Sequence, residues 1–288
     1  MALLVVGSVA LDSVRTPFGE RQEVLGGSAT YCSVAASYFT DVNVVAVVGE
    51  DFTDEQRRIF AGRRIDLSGL QTVSGRTFRW RGEYSGNLNV ARTVETQLNV
   101  FGGFRPTLPP AYRESDYVFL ANIDPDLQQE VLAQVRSPRL IAADTMNFWI
   151  GGKRDVLVET LRNVDLLFVN DAEARDLSGE GNLVTSAMVI RAMGPEVVVI
   201  KRGEHGAMMF ARDGVFMTPA YPLEKPLDPT GAGSVTGPAM RRAMVFGSVM
   251  ASFAVEDFSL GRLSRLTEEE VRERYRAFSR MTEFEPLP

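Results

Sequence analysis

The strongest constraint on the fold is a recurring pattern. Short, largely apolar runs hand over abruptly to glycine or polar residues at positions 3–6, 42–48, 117–121, 140–143, 166–169 and 196–201. Runs of four to seven residues without polar alternation describe strands buried on both faces of a parallel sheet. Helix-compatible stretches at 29–39, 53–64, 127–135, 171–177 and 183–193 lie between them. Strand, helix, strand is the order of a sheet wound with crossover connections, so the chain is expected to be α/β. In such sheets ligands bind outside the carboxyl ends of the strands. The residues standing there are Asp12, Asn122 and Asp124, Asp144 and Asn147, and Asn170 and Glu173, with Lys201 closing the last run.

Two segments depart from the alternation. Residues 15–25 are polar and turn-rich, and 70–100 carry Thr77, Phe78, Arg79, Trp80, Arg81 and Tyr84 among Thr, Asn and Gly. Half-exposed strands are expected there, forming a small β element outside the main sheet that serves as a lid, with bounds of roughly 13–25 and 70–100. Residues 207–210 and 215–218 read as a hairpin, Ser28 as the cap of the first helix, and Thr267 with Glu270 as a capping box opening a polar helix. With no repeat and no linker composition, residues 1–288 are expected to form one domain carrying the lid as an insertion.

Composition excludes several chemistries. A net charge of −6 argues against general nucleic-acid binding, which needs a basic surface. The sole cysteine, Cys32, allows no internal disulfide and no cysteine-cluster zinc site, which fits a cytoplasmic setting. The sole histidine, His205, sits in a turn with no carboxylate pattern suggesting a relay. The apolar start lacks a basic flank and reaches Asp12 at once, and the uncharged run 243–255 is too short to span a bilayer, so a soluble protein is expected.

Glycine clusters at two places shape either a plain turn or a close approach of backbone to a ligand. Gly26 and Gly27 precede the first helix. Further on, Asp228 to Gly233 reads DPTGAG, and Pro238 opens a helix expected from about residue 239. In Gly231, Ala232 and Gly233 successive N–H groups can converge on an anion in front of a helix N-terminus.

Taken together, VVGSVALD at 5–12, GGSATY at 26–31, VGEDF at 48–52, NDAE at 170–173, KRGEHGA at 201–207 and DPTGAG at 228–233 occur in the order seen in one family. Across essentially its whole length the sequence resembles the ribokinase-like (PfkB) carbohydrate kinases, which include nucleoside kinases. The resemblance implies a three-layer αβα sandwich with a mostly parallel sheet and a β lid. It also implies ATP-dependent phosphoryl transfer, with Mg, to a hydroxymethyl group of a sugar or nucleoside. Asp12, Gly26, Gly27, Trp80 and Asn122 would bind that acceptor. Asn170, Lys201, Gly203, Gly206 and Asp228 would border the nucleotide, and Asn170 with Glu173 would position Mg through water. The amides of Gly231, Ala232 and Gly233 would form the anion hole. Arg76, Arg79 and Arg81 are further candidates for acceptor choice, and a homodimer through the lid is implied by the same resemblance.

One part of the family pattern is missing. Where its members carry an aspartate that takes the proton from the attacking hydroxyl, this chain has Ser234, and the residues that follow run straight into a sequence resembling the family's second helix. Loss of a general base costs about 10²- to 10⁴-fold in rate. Three readings stay open: a base supplied from elsewhere, with Asp228 or Asp144 as candidates; a sugar- or nucleotide-binding pseudokinase; or a natural protein with a segment absent from this sequence.

Overall fold

The structure is a computed structural model describing residues 2–85, 91–223 and 240–283. Its strands, in chain order, are β1 (Ala2–Val6), β2 (Ala10–Thr16), β3 (Gly19–Gly26), β4 (Asp41–Gly49), β5 (Ile65–Val73), β6 (Phe78–Tyr84), β7 (Ala91–Gln97), β8 (Tyr117–Leu120), β9 (Leu140–Asp144), β10 (Leu166–Asn170), β11 (Val197–Lys201), β12 (Ala207–Ala211) and β13 (Gly214–Thr218). The helices are α1 (Ser28–Ala36), α2 (Asp54–Arg58), α3 (Pro125–Leu132), α4 (Asn147–Gly152), α5 (Arg154–Leu161), α6 (Asp171–Ser178), α7 (Leu183–Ala192), α8 (Met240–Ala254) and α9 (Glu268–Thr282).

The large sheet has the order β13-β12-β11-β10-β9-β8-β1-β4-β5. From β11 to β5 every pair is parallel, and β12 and β13 add an antiparallel hairpin at one edge. Because successive side chains on a strand point to opposite faces, each apolar run feeds two cores. Val5, Val44, Phe119 and Phe168 join α1, α8 and α9 on one side. Leu4, Val6, Leu120 and Leu167 join α3, α5, α6 and α7 on the other. That is the expected helix–sheet–helix layering, and it explains why the runs show no polar alternation.

Several elements differ from expectation. β5 belongs to the large sheet, pairing in parallel with β4. As an edge strand it keeps polar, exposed positions, so it reads like part of the small sheet. The segment 53–64 holds only the five-residue α2, capped by Thr53 and Gln56. α4 and α5 were not anticipated, since Gly151 and Gly152 break the segment into pieces too short to show a helical period. Ser28 is not the cap of α1: Gly27 holds the cap position, and the Ser28 hydroxyl lies 3.1 Å from the hydroxyl of Ser8. The Thr267–Glu270 capping box forms as expected.

The second sheet has the order β3-β2-β6-β7 and fits a lid. Its strands span 10–26 and 78–97, so it begins earlier and its second half starts later than the bounds read from the sequence. One joint ties it to the large sheet. Thr77 donates its amide (2.8 Å) and hydroxyl (2.7 Å) to Asp51 Oδ1, and the Gly49 amide donates to Thr77 Oγ1 (3.0 Å). Arg79 then bridges Asp51 Oδ2 (2.9 Å) and Glu23 Oε1 (2.8 Å). Arg79 is thereby committed to the joint.

Candidate active site

At the ends of β1 and β8 the backbone is packed without slack. A Cβ on Gly7 would lie 2.6 Å from the Cβ of Ala121, and one on Gly27, where φ is +93°, would strike the Ser8 carbonyl. No other residue type adopts that conformation without strain. A Cβ on Gly26 would occupy the space of the Asp12 carboxylate, which is 6% exposed. The glycine pair thus seats the Asp12 carboxylate against the entry to α1. In register, Asp12 on β2 lies beside Trp80 on β6, so both belong to one face of the small sheet. The Trp80 indole lies across Gly82 and donates from Nε1 to Thr93 Oγ1 (3.2 Å).

Asn122 stands one residue past Ala121. Trp149 on α4 donates its Nε1 hydrogen to Asn122 Oδ1 (3.0 Å). An indole N–H can only donate, so the amide oxygen of Asn122 faces Trp149 and its NH₂ faces away. Phe148, 67% exposed, packs edge-on against Trp149 at 4.8 Å between ring centres. Gln128 on α3, fully buried, donates to the carbonyls of Ala121 (3.2 Å) and Asp144 (3.2 Å), stitching the ends of β8 and β9.

Charge gathers at the ends of β9, β10 and β11. Lys201 Nζ lies 3.2 Å from Asp144 Oδ1, spanning the end of β10. Asn170 caps α6 through a reciprocal box: its Oδ1 accepts from the Glu173 amide (2.8 Å), and its own amide donates to Glu173 Oε2 (2.6 Å). Burial pushes the Glu173 carboxyl up to about 7; the Lys201 charge opposes this and the Asp144 carboxylate adds to it. Burial also works against the Lys201 ammonium, but Asp144 and Glu173 outweigh it and hold the amine above its ordinary value. Gly206, at φ +81°, closes the short turn after β11 so tightly that a Cβ there would strike the Thr218 carbonyl, and Gly203 opens the same turn.

The donors here are oxygens of Asn170, Glu173 and Asp144, which suit a hard cation such as Mg²⁺. Among the described residues no three His, Cys, Asp or Glu side chains converge as a metal cage, so a cation at this rim would keep water ligands. Lys201 offers the positive charge a phosphate chain needs. Cys32 is buried, and burial together with the Asp144 charge pushes its thiol far above the ordinary range, leaving it a packed neutral group.

Of the residues singled out in the sequence, the structure brings Asp12, Gly26 and Gly27 together with Trp80 alongside, and sets Asn170, Glu173 and Lys201 around one another. Asp228, Gly231, Ala232, Gly233, Ser234 and the junction leading to residue 239 lie outside the described residues. Trp149 and Gln128 were not anticipated as site residues. No spacing rule connects Asn122 after β8 with Trp149, 27 positions on in α4, and only the adjacency of β8 and β9 joins them. No helix among the described residues is long and apolar enough to cross a membrane.

A mostly parallel sheet between helix layers, with a small outlying sheet and a polar rim at the strand ends, defines a ribokinase-like α/β protein. The profile of the pfkB family carbohydrate kinases matches residues 3–237, and the chain belongs to that family. A cytidine kinase of Thermococcus kodakarensis is 29% identical over 237 residues, covering 80% of this chain and 84% of its own. The nucleoside kinase of Methanocaldococcus jannaschii, an archaeal member of the ribokinase family, superposes with a TM-score of 0.75 at 19% identity, covering 96% of this chain and 98% of its own. An Escherichia coli chain described as a ribokinase II, solved with ATP and Mg²⁺, gives 0.78 at 16% identity and covers 96% and 99%.

Proposed function

We propose that this protein transfers the γ-phosphoryl group of ATP, with Mg²⁺, to a hydroxymethyl oxygen of a sugar or nucleoside. The observation that carries the reading is that a carboxylate seated in a glycine cradle beside the end of β1, and a charged cluster of Lys201, Asp144, Asn170 and Glu173 at the ends of β9, β10 and β11, stand at the same edge of one parallel sheet. On this reading Asp12 accepts hydrogen bonds from acceptor hydroxyls, while Gly26 and Gly27 admit the acceptor close to the backbone. Asn122 donates to it, and Trp80 covers it from the small sheet acting as a lid, through which two copies could pair as a dimer. Lys201 neutralises phosphate charge, Gly203, Gly206 and Asp228 border the nucleotide, and Asn170 and Glu173 orient Mg²⁺ through water. Gly231, Ala232 and Gly233 donate their amides to the transferred group. Phosphoryl transfer depends mainly on positioning and electrostatics, and these groups supply both.

The second reading, a non-catalytic sugar- or nucleotide-binding protein, is favoured by Ser234 in the place of the family's aspartate. ADP release with a panel of sugars and nucleosides, measured for this chain and for Ser234→Asp, separates the two. Acceptor-dependent ADP production by either protein supports the kinase. ATP binding without such production by both supports the binding protein for this chain.

A further inference from the structure

The ion pair between Asp144 and Lys201 has unequal partners. The Asp144 carboxylate is held in place, since its Oδ1 also accepts the Thr145 amide (3.0 Å) and the main-chain carbonyl of Asp144 takes the buried Gln128 amide (3.2 Å). Lys201 reaches the same oxygen on a flexible four-carbon stem from the end of β11, across the end of β10. Glu173 Oε2 is held by the amide of Asn170 (2.6 Å), the residue in register with Lys201, and its charge bears on both partners. The trio therefore sets the Asp144 carboxylate, joined by Glu173 when it is ionised, against one ammonium. A nucleotide phosphate chain meets a lysine already committed and carboxylates that repel it. Withdrawing one partner of a largely buried pair leaves the other uncompensated, at substantial cost. The ammonium can turn toward a phosphate only when another cation balances the carboxylate.

We propose that Asp144 is a positioning residue that parks Lys201 across the rim and yields it to the nucleotide's phosphates only when a divalent cation takes over its charge. Cation and nucleotide binding are then coupled through this carboxylate. The inference rests on the nucleotide-binding reading above. It adds an obligatory order of charge exchange to that reading, and the coupling must be reciprocal.

ADP titrated calorimetrically into the full chain with and without MgCl₂ tests it. The unaltered protein is expected to bind ADP about tenfold more tightly with Mg²⁺. Asp144→Asn should bind ADP more tightly than the unaltered protein when Mg²⁺ is withheld, and its Mg²⁺ enhancement should fall to about twofold or less. Asp144→Glu, which keeps the charge, should retain the enhancement. An Asp144→Asn protein with the unaltered enhancement overturns the inference while leaving nucleotide binding intact. Failure of the unaltered protein to bind ADP under either condition overturns the functional reading and this inference with it. Lys201→Met with MgCl₂ alone gives an independent measurement that does not need Asp144→Asn to fold. Its carboxylates lack their ammonium, so Mg²⁺ should raise its Tm more than that of the unaltered protein, and an equal shift overturns the inference.

Discussion

The two halves of the rim are built on different physics. Around Asp12 and Asn122 the site is shaped by close approach: glycines at 7, 26 and 27 leave no room for a side chain, and neutral hydrogen bonds aim the amides. Around Lys201 it is shaped by charge, with two carboxylates and an ammonium partly withdrawn from water. Steric preorganisation is rigid and indifferent to pH or salt. A buried charge cluster is poised, and a proton, a cation or a phosphate can redistribute it. The first suits recognition of an uncharged acceptor; the second suits a polyanion that arrives with its metal.

Substitutions can break this contrast on either side. The largest effect is expected at the cradle. Gly27→Ala places a Cβ against the Ser8 carbonyl at a φ of +93°, and should cost about 2–4 kcal/mol at every pH, read from urea midpoints. A pH-independent loss of that kind would mark the steric half.

Glu173 marks the electrostatic half. Its folded carboxyl is pushed up to about 7, above the value of an unfolded chain, so the folded state holds the proton more tightly. The stabilisation is complete below the unfolded value and is lost as pH rises through about 7. Glu173→Gln keeps an acceptor for the Asn170 amide and removes the titration. Between pH 5 and pH 8 the unaltered protein should lose on the order of 2–3 kcal/mol relative to the variant. Parallel stability curves for the two proteins would show that the cluster is not poised.

The joint between the sheets should respond less. Arg79→Met removes the bridge from Asp51 to Glu23 and should cost about 1–2 kcal/mol, with faster amide exchange along β6 and β7 than in the large sheet. Uniform exchange across both sheets would mean that Arg79 does not hold the small sheet in place. The smallest effect is expected from Trp149→Phe, which keeps the ring and deletes one hydrogen bond to Asn122, worth about 1 kcal/mol. It should weaken acceptor binding while leaving the Mg²⁺ dependence of ADP binding unchanged, which would sharpen the separation of the two halves.

Much of this was legible in the residues themselves. The apolar runs announced strands buried on both faces, and the polar residue closing each run named the rim, so Asn122, Asp144, Asn170 and Lys201 could be picked out before any partner was known. The Asn170–Glu173 capping box is a three-residue relation and is visible locally. Harder to read were β5, whose exposed positions follow from its place at an edge, and α4 and α5, broken up by paired glycines.

Local order along the chain, namely which apolar segments are strands and which side chains stand at their ends, follows from period and residue type, because those forces act over a few positions. Pairings between distant elements do not. Trp149 meets Asn122 because β8 lies beside β9, and Lys201 meets Asp144 because β9 and β11 flank β10. Burial, which pushes the Glu173 carboxyl up and makes the Asp144–Lys201 pair costly to break, arises only when the layers close over the sheet and exclude water from groups far apart in the chain.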